Sequence, residues 1–286
     1  MMPDRMQRGL TADSAARFLA LEITEAADEA RQRHQLNRGS ARLLGEAMTA
    51  ALMMSAYIKG EERITLQIQC EQPPLSISCD VTADGGVRAR LSPPTAQIRR
   101  HGRLSGMLMV IKHDARAELY RGVTAIDDQT IASALSTHLR DSSQVDAIVN
   151  IHSESGPDGA LSWAGGVLIE RMPPATDLPH LTPPEFKAHY APLRDLDGPA
   201  LQEALAQQKL LGAPMLVMEE RPLRWQCTCS RPRVLSMLVS LGADELQSMI
   251  EEDHGAEINC HFCGEQYTVN ETELTELRAT LVASGR

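Results

Sequence analysis

The chain has 286 residues, of which 43% are hydrophobic and 23% are charged, and its formal net charge at pH 7 is −10. This composition is ordinary for a globular protein and excludes a chain that is disordered throughout. The negative charge argues against broad electrostatic attraction to nucleic acid or to anionic membranes. No segment approaches the length of a membrane-spanning helix, so no membrane association is expected.

The N-terminal sequence, MMPDRMQRGL, lacks the apolar segment of a secretory signal peptide. We therefore expect a cytoplasmic protein. In a reducing compartment, closely paired cysteines are more often metal ligands or redox groups than static disulfides. The six cysteines of this chain are interpreted on that basis.

Residues 41–60 form the first predicted element, because their apolar side chains recur at helical spacing before Gly60. Residues 64–81 alternate apolar and polar side chains on both sides of Pro73 and Pro74, which predicts two antiparallel strands. Further strands are predicted in five later segments: 84–91, 106–114, 117–126, 145–153 and 161–174.

A second helix is predicted over 127–144, with Asp127 and Asp128 as acidic residues of its first turn. Strands and helices thus mix in the first domain, residues 1–175, which predicts an α+β fold with antiparallel sheet. A Pro-rich stretch at 172–184 marks the end of this domain.

Residues 176–225 are predicted to form a linker that is helical at first and irregular after that. Within it, the run LLGAPMLVM at 210–218 is conspicuously apolar. The last predicted domain, residues 226–286, is too small to be stable without a cross-link or a bound metal.

Four of the six cysteines lie in this last domain, as C-x-C at Cys227 and Cys229 and as C-x-x-C at Cys260 and Cys263. Zinc prefers four tetrahedral ligands, and two pairs close in sequence allow a short chain to supply them. Gly264 suits a tight turn after the second pair, because glycine adopts positive φ without steric cost. We predict that all four thiolates hold one zinc ion.

The thirty residues between the two pairs predict two helices, 233–241 and 243–253, separated by Gly242. Their apolar side chains are expected to form a small core: Val234, Leu235, Leu238, Leu246, Met249 and Ile250. His254 and His261 lie near the second pair, but four thiolates already complete a zinc site, so both are predicted to be surface residues.

A zinc site alone leaves several functions open. The metal could be a purely structural clamp in an interaction module. From Cys227 onward, ten Asp and Glu residues and four Arg residues give a formal charge of −6, which disfavours a nucleic-acid-binding zinc ribbon. A redox switch is a further possibility, because each pair can form a disulfide on oxidation and release the metal. A thiol-disulfide oxidoreductase using the C-x-x-C pair is the last alternative, although no βαβ pattern surrounds that pair.

Cys70 and Cys79 fall on the apolar faces of their predicted strands, which favours inert buried thiols. A hairpin that turns at Pro73 and Pro74 places them out of register, so no disulfide between them is expected. The chain has no glycine-rich phosphate loop and no arrangement typical of a catalytic site. Neither nucleotide use nor enzymatic activity is therefore expected.

The cysteine signature resembles that of the redox-regulated thirty-three-kilodalton heat-shock protein family, a family of bacterial holdase chaperones. The C-x-C pair, the interval of thirty residues and the C-x-x-C pair are its most specific features. Segments of the N-terminal domain also resemble landmarks of the family: 43–69, 84–91, 120–123 and 164–174.

The resemblance implies a compact, inactive, zinc-bound form under reducing conditions. It further implies that oxidants pair Cys227 with Cys229 and Cys260 with Cys263, and that zinc then leaves. The linker would lose its structure and bind unfolding client proteins without ATP, and the active form would be a homodimer.

The apolar run in the linker is suited to promiscuous binding, since Met and Leu side chains adapt to varied partners. The candidate client-binding residues are Leu210, Leu211, Met215, Leu216, Val217 and Met218. The alternative is that this run packs against the N-terminal domain in the reduced state, and each role could apply in a different state.

Overall fold

The structure, a computed structural model, describes residues 3–12, 15–98, 102–172 and 181–283. The chain divides into two compact units, the first ending at Gln226 and the second beginning at Cys227. The predicted boundary between residues 175 and 176 lies outside the described residues, and the three-domain division remains a prediction. Across the described ranges, every helix is too short or too polar to cross a membrane.

The first unit contains two six-stranded sheets, and the predicted α+β class is confirmed. Sheet I has the strand order β10-β11-β1-β2-β9-β8, and all its neighbouring strands are antiparallel. Its strands are β1 (Arg5–Thr11), β2 (Ala16–Glu22), β8 (Ala147–Ser155), β9 (Leu161–Arg171), β10 (Lys209–Leu210) and β11 (Ala213–Pro222).

Sheet II has the order β12-β5-β4-β3-β6-β7 and is antiparallel except where β12 pairs with β5. Its strands are β3 (Arg63–Gln72), β4 (Pro74–Thr82), β5 (Gly86–Ser92), β6 (Leu104–His113), β7 (Glu118–Gln129) and β12 (Arg224–Trp225). The predicted hairpin is confirmed, because Ile64 pairs with Val81 and Ile68 with Ile77. The apolar members of this alternation face the core and are buried.

Helix α2 (Arg38–Met54) is the central element of the first unit and packs against strands of both sheets. Most of its large apolar side chains are fully buried, among them Leu44, Met48 and Leu52. The Asn37 side chain accepts a hydrogen bond from the Ser40 N–H and so caps the N-terminus. The helix ends at Met54, earlier than predicted, and a short 3-10 turn follows before Gly60. Helix α1 (Thr24–His34), which was not predicted, packs beside α2.

Helix α3 spans Ile131–Ser143, and its N-cap is Thr130, whose side chain accepts from the Ser133 N–H. The prediction that Asp127 and Asp128 begin this helix is wrong. Both residues lie at the end of β7. A threonine hydroxyl can satisfy the first free N–H groups of a helix, so the acidic residues are not needed there.

The predicted linker contributes both helices and strands to the first unit. Helices α4 (Pro183–Tyr190) and α5 (Gly198–Ala206) place Phe186, Leu201 and Leu205 in a core cluster with side chains of sheet I. The prediction of irregular structure after the helical part is wrong, because residues 213–222 form β11. This strand is recognisable only with its partner β1, to which it pairs from Arg5 to Thr11.

The second unit is a small α+β unit. Helix α6 (Arg231–Leu241) ends at Gly242, as predicted, and α7 (Ala243–Ser248) continues into a π-helical turn, Met249–Asp253. The hairpin β13 (Gly255–Asn259) and β14 (Gln266–Asn270) and the helix α8 (Glu271–Ala283) complete it. Its core cluster contains six buried side chains: Val234, Leu238, Leu246, Val269, Leu274 and Leu281. Of the predicted core, Leu235, Met249 and Ile250 are partly buried against this cluster.

Candidate metal centre

The two cysteine pairs lie in two irregular segments of the second unit. Cys227 and Cys229 lie in the extended segment before α6, and Cys260 and Cys263 lie in the turn between β13 and β14. In that turn the Gly264 N–H donates to the Cys260 carbonyl oxygen at 2.8 Å. Gly264 has a φ of 73°, in the left-handed region that favours glycine.

The four cysteine sulfurs converge, and all lie within 4.8 Å of one another. The Cys227 Sγ is 3.6 Å from the Cys260 Sγ, and the Cys229 Sγ is 3.2 Å from the Cys263 Sγ. Four sulfurs bonded to zinc at about 2.3 Å in a tetrahedron stand about 3.8 Å apart. The donor set therefore fits a tetrahedral metal ion that prefers thiolate ligands.

Burial raises the pKa of the Cys229 and Cys263 thiols, and for Cys229 a hydrogen bond from the Tyr267 hydroxyl opposes the shift. Cys263 is buried and the other three cysteines are half-buried. Four adjacent thiols in such surroundings do not ionise together without a compensating charge. A bound dication supplies that charge and stabilises the thiolates. The electrostatics of the site, like the spacing of its sulfurs, therefore fit a metal ion.

Several groups around the cysteines were not predicted from the sequence. The Tyr267 hydroxyl donates to the Cys229 Sγ at 3.3 Å, and the Arg233 guanidinium donates to the Thr228 carbonyl oxygen at 2.8 Å. The first contact orients a ligand sulfur, and the second holds the backbone between two ligands. The alternation of Tyr267 and Val269 after the C-x-x-C pair was the available signal for strand β14.

The start of α8 also carried a signal. Asn270 and Glu273 form a reciprocal capping box, in which each backbone N–H donates to the other side chain, at 3.1 and 3.0 Å. This N-x-x-E pattern places the helix directly after the strand that carries Tyr267. The helix then contributes Leu274 and Leu281 to the core behind the site.

The two neighbouring histidines lie outside the group of sulfurs. His261 is exposed, and the Nδ1 of the exposed His254 lies 3.4 Å from a carboxylate oxygen of Glu271. Neither belongs to the group of residues that could hold a metal, which consists of the four cysteines in the described part of the chain. Their predicted surface positions are confirmed.

Cys70 and Cys79 lie in sheet II, at 4% and 0% exposure. Burial raises the pKa of the Cys70 thiol to about 11, and it also raises the pKa of Cys79. Cys70 pairs with Leu75 and Cys79 with Leu66, so the two thiols are out of register. Both are protonated and shielded at neutral pH, as predicted for inert thiols.

Five of the candidate client-binding residues lie in strands β10 and β11 of sheet I, and Leu211 lies in the turn between these strands. Leu210 and Met215 are buried in the cluster formed with α4 and α5, and Val217 packs at its margin. Leu211, Leu216 and Met218 are exposed, Met218 to 75%. The run therefore has one face in the core and one face in solvent.

Comparisons with known proteins agree over nearly the whole chain. The family model described as Hsp33 protein matches residues 4–270. The 33 kDa chaperonin of Listeria welshimeri is 32% identical over 96% of this chain and 98% of the relative. The protein of the same name from Bacillus licheniformis is 32% identical over 96% of this chain and 99% of the relative.

Among solved structures, the crystal structure of the 33 kDa chaperonin of Thermotoga maritima matches with a TM-score of 0.82. The match covers 99% of this chain and 100% of that one, at 21% identity, and it shows that the fold is shared. The family model and the curated relatives establish the relationship independently of that fold. The chain belongs to the Hsp33 family.

Proposed function

We propose that this protein is a redox-regulated, ATP-independent chaperone that prevents the aggregation of unfolding proteins. The Hsp33 family and the curated relatives named 33 kDa chaperonin support the chaperone role. The observation that carries the regulation is the group of four sulfurs within 4.8 Å of one another. This group lies in a unit with only a small core of its own.

In the reduced state, Cys227, Cys229, Cys260 and Cys263 would hold one zinc ion per chain. Zinc supplies a cross-link between the segment before α6 and the β13–β14 turn, and it keeps the thiols ionised. Tyr267 orients the Cys229 sulfur through its hydroxyl. The six buried side chains of the unit then need to supply only part of its stability.

Oxidation would convert the four ligands into two disulfides, Cys227–Cys229 and Cys260–Cys263. With hydrogen peroxide, each disulfide would form from two thiolates, which lose two electrons to one peroxide, and two protons taken up from solvent complete two water molecules. A disulfide sulfur is no longer an anionic ligand, so each disulfide removes two ligands from the ion. The fold of the second unit would then lose its main cross-link.

The loss of this unit would act on the first unit through the chain. Cys227 follows Gln226, whose N–H donates to the Val87 carbonyl oxygen at 2.8 Å beside the short strand β12. The chain segment before Gln226 contains helices α4 and α5. Their side chains Phe186 and Leu201 are buried in the core cluster that these helices form with sheet I. Release of this segment would expose these residues together with Leu210, Met215 and the partly buried Val217. They would join Leu211, Leu216 and Met218, which are already exposed.

The surface so exposed would bind extended apolar segments of unfolded clients, and no nucleotide is required for the process. Met and Leu side chains suit such clients because they adapt to varied shapes. We further propose that the active form is a homodimer and that the protein acts in the cytoplasm.

The test compares the wild-type protein with Cys263→Ser, and with Cys70→Ala as a matched control. Each reduced, zinc-loaded protein is treated with peroxide at mildly elevated temperature. Zinc release is measured with a chromogenic chelator, free thiols with a thiol reagent, and chaperone activity by light scattering of an aggregating client. The wild type and Cys70→Ala should lose four thiols, release one zinc ion and suppress aggregation. Cys263→Ser should bind zinc weakly before any oxidant is added.

Two outcomes would contradict the proposal. Zinc that stays bound after oxidation, without any effect on aggregation, would indicate a structural metal in an interaction module. Catalytic turnover of a disulfide substrate, without suppression of aggregation, would indicate an oxidoreductase. The dimer is tested separately, by sedimentation of the reduced and oxidised forms.

A further inference from the structure

A cavity of about 750 Å³ lies in the first unit, bounded by α2, α3 and β8. Its floor is apolar and buried, with Leu43 from α2 and Val149 and Ile151 from β8. The volume is in the range of small-molecule sites, which combine apolar walls with a few placed polar groups. The proposed redox switch makes no use of this cavity.

The charged side chains among the described lining residues are mainly cationic. Arg42 from α2, Arg140 from α3 and Arg194 from the 3-10 turn after α4 line it, and all three are exposed. Glu46 is the acidic residue among the described lining residues. Three arginines and one glutamate give the described lining a formal charge of +2, in a chain whose net charge is −10. The sign favours an anionic ligand.

Hydrogen bonds position the Arg42 side chain and the turn that carries Arg194. The Arg42 Nε donates to the Ser153 carbonyl oxygen at 2.6 Å, a bond that leaves both Nη groups for a ligand. Arg194 lies in a turn that is tied to β8, because the Asn150 Nδ2 donates to the carbonyl oxygens of Leu193 and Leu196, at 2.5 and 2.9 Å. Positioned guanidinium groups bind carboxylate or phosphate oxygens through paired hydrogen bonds.

Arg140 has a different role, because its guanidinium pairs with Asp141 at 2.7 Å. Arg194, by contrast, has no ion-pair partner among the described residues. Hydroxyl groups of Ser133 and Thr137 also line the cavity and can donate to a bound oxyanion.

We propose that this cavity binds a small oxyanion with at least two negative charges, a phosphate or a polycarboxylate, between Arg42 and Arg194. The ligand's charged groups contact the two guanidinium groups at the rim. Its remaining atoms lie over the apolar floor formed by Leu43, Val149 and Ile151.

Glu46 makes the binding sensitive to pH. Burial raises the pKa of its carboxyl group to about 8, against the opposing effect of Arg42, and Glu154 adds to the rise. At pH 7 the carboxyl is therefore mainly neutral and does not repel an anion. The charged or titratable groups around it are Arg42, Arg140, His152, Glu154 and Arg194. As the pH rises through about 8, Glu46 ionises and anion affinity should fall.

The test is calorimetric titration of the reduced, zinc-loaded protein with inorganic phosphate and, separately, with succinate, at constant ionic strength set by chloride. At least one dianion should bind saturably at pH 7, with one site per chain, and the one that binds identifies the ligand class. Arg42→Gln and Arg194→Gln should each weaken binding about tenfold, as expected for the loss of a hydrogen bond to a charged group. Arg116→Gln, in the exposed β6–β7 turn, is the matched control and should bind as the wild type does.

The pH profile provides a second measurement that does not depend on the arginine variants. Between pH 7 and 9 the charge of succinate is constant, and that of phosphate becomes more negative. For succinate, affinity should fall over this range in the wild type and stay level in Glu46→Gln. For phosphate, the ratio of the Glu46→Gln affinity to the wild-type affinity should rise over the same range. The proposal is overturned if neither dianion binds saturably at millimolar concentration. It is also overturned if folded Arg42→Gln and Arg194→Gln both retain wild-type affinity.

Discussion

The first unit buries aliphatic side chains from two sheets and from nearly every position of α2, whereas the second unit has a core cluster of six buried side chains. The second unit instead brings four sulfurs within 4.8 Å of one another. Hydrophobic burial scales with the area removed from water, so a unit with so small a core is marginal without further support. Such support is what a structural metal provides.

The difference means that the two units respond to different chemical conditions. Heat and denaturant act on buried apolar area, which is concentrated in the first unit. Oxidants act on accessible thiols, and four cysteine sulfurs are grouped in the second unit. A chelator would act there only through the zinc ion that we propose. Under the proposed function, one unit would stay folded while the chemistry of four side chains decides the state of the other.

Metal removal should give the largest difference between the units. A strong chelator added to the reduced protein should abolish amide hydrogen-exchange protection in α6 and α8 and leave α2 protected. The reason is that structural zinc sites contribute on the order of 10 kcal/mol, whereas the gain from burying six apolar side chains is largely offset by the conformational entropy that the unit loses on folding. Added zinc should restore protection. If α6 and α8 stay protected without metal, the second unit is stable by itself, and the expectation that it depends on a metal is wrong.

A core truncation in the first unit should have a smaller effect that is confined to it. Leu52→Ala removes a fully buried side chain from α2 and should lower the free energy of unfolding of this unit by about 3 kcal/mol. Leu119→Ala, at a residue that is 49% exposed, should change it by less than about 0.5 kcal/mol. Urea denaturation followed by hydrogen exchange measures both. Equal loss of protection in α8 would show that the units unfold together.

A core truncation in the second unit should act on metal affinity. Leu274→Ala removes a fully buried side chain of the core cluster, which contains none of the four cysteines, at a cost of about 2 kcal/mol. Because folding and metal binding are coupled, zinc affinity should fall by about 30-fold. Competition with a chromogenic chelator measures this, and Thr272→Ala, an exposed position on the same helix, is the matched control. Unchanged affinity in Leu274→Ala would mean that the sulfurs assemble without the core.

Local patterns in the sequence predicted the parts of the molecule that depend on local physics. Alternation across Pro73 and Pro74 predicted the β3–β4 hairpin, since adjacent strands share one apolar face. Cysteine spacing predicted that four sulfurs would meet, because each pair is fixed by its own short segment. Gly242 predicted the end of α6.

Other parts depend on partners that are distant in sequence. Strand β11 has a mixed pattern because Met215 faces the core while Glu219 and Glu220 form ion pairs with Arg8 and Arg5. Its strand character comes from pairing with β1, which local alternation does not reveal. Asp127 and Asp128 resemble the acidic first turn of a helix. The N-cap is instead Thr130, three residues after Asp127. The position of the N-cap depends on where strand β7 ends, and β7 pairs with β6 as far as Gln129.

The pairing of β11 with β1 has a consequence for synthesis. Arg5 and its partner Pro222 are separated by 217 residues, so β1 leaves the ribosome at least about 10 seconds before β11 exists. Strands β1, β2, β9 and β8 can pair with one another as soon as residue 171 has been made. Until β11 arrives, the backbone edge of β1 is open to any extended chain. Release of β11 from the folded protein would expose the β1 edge again, as it is exposed in each newly synthesised chain before β11 is made.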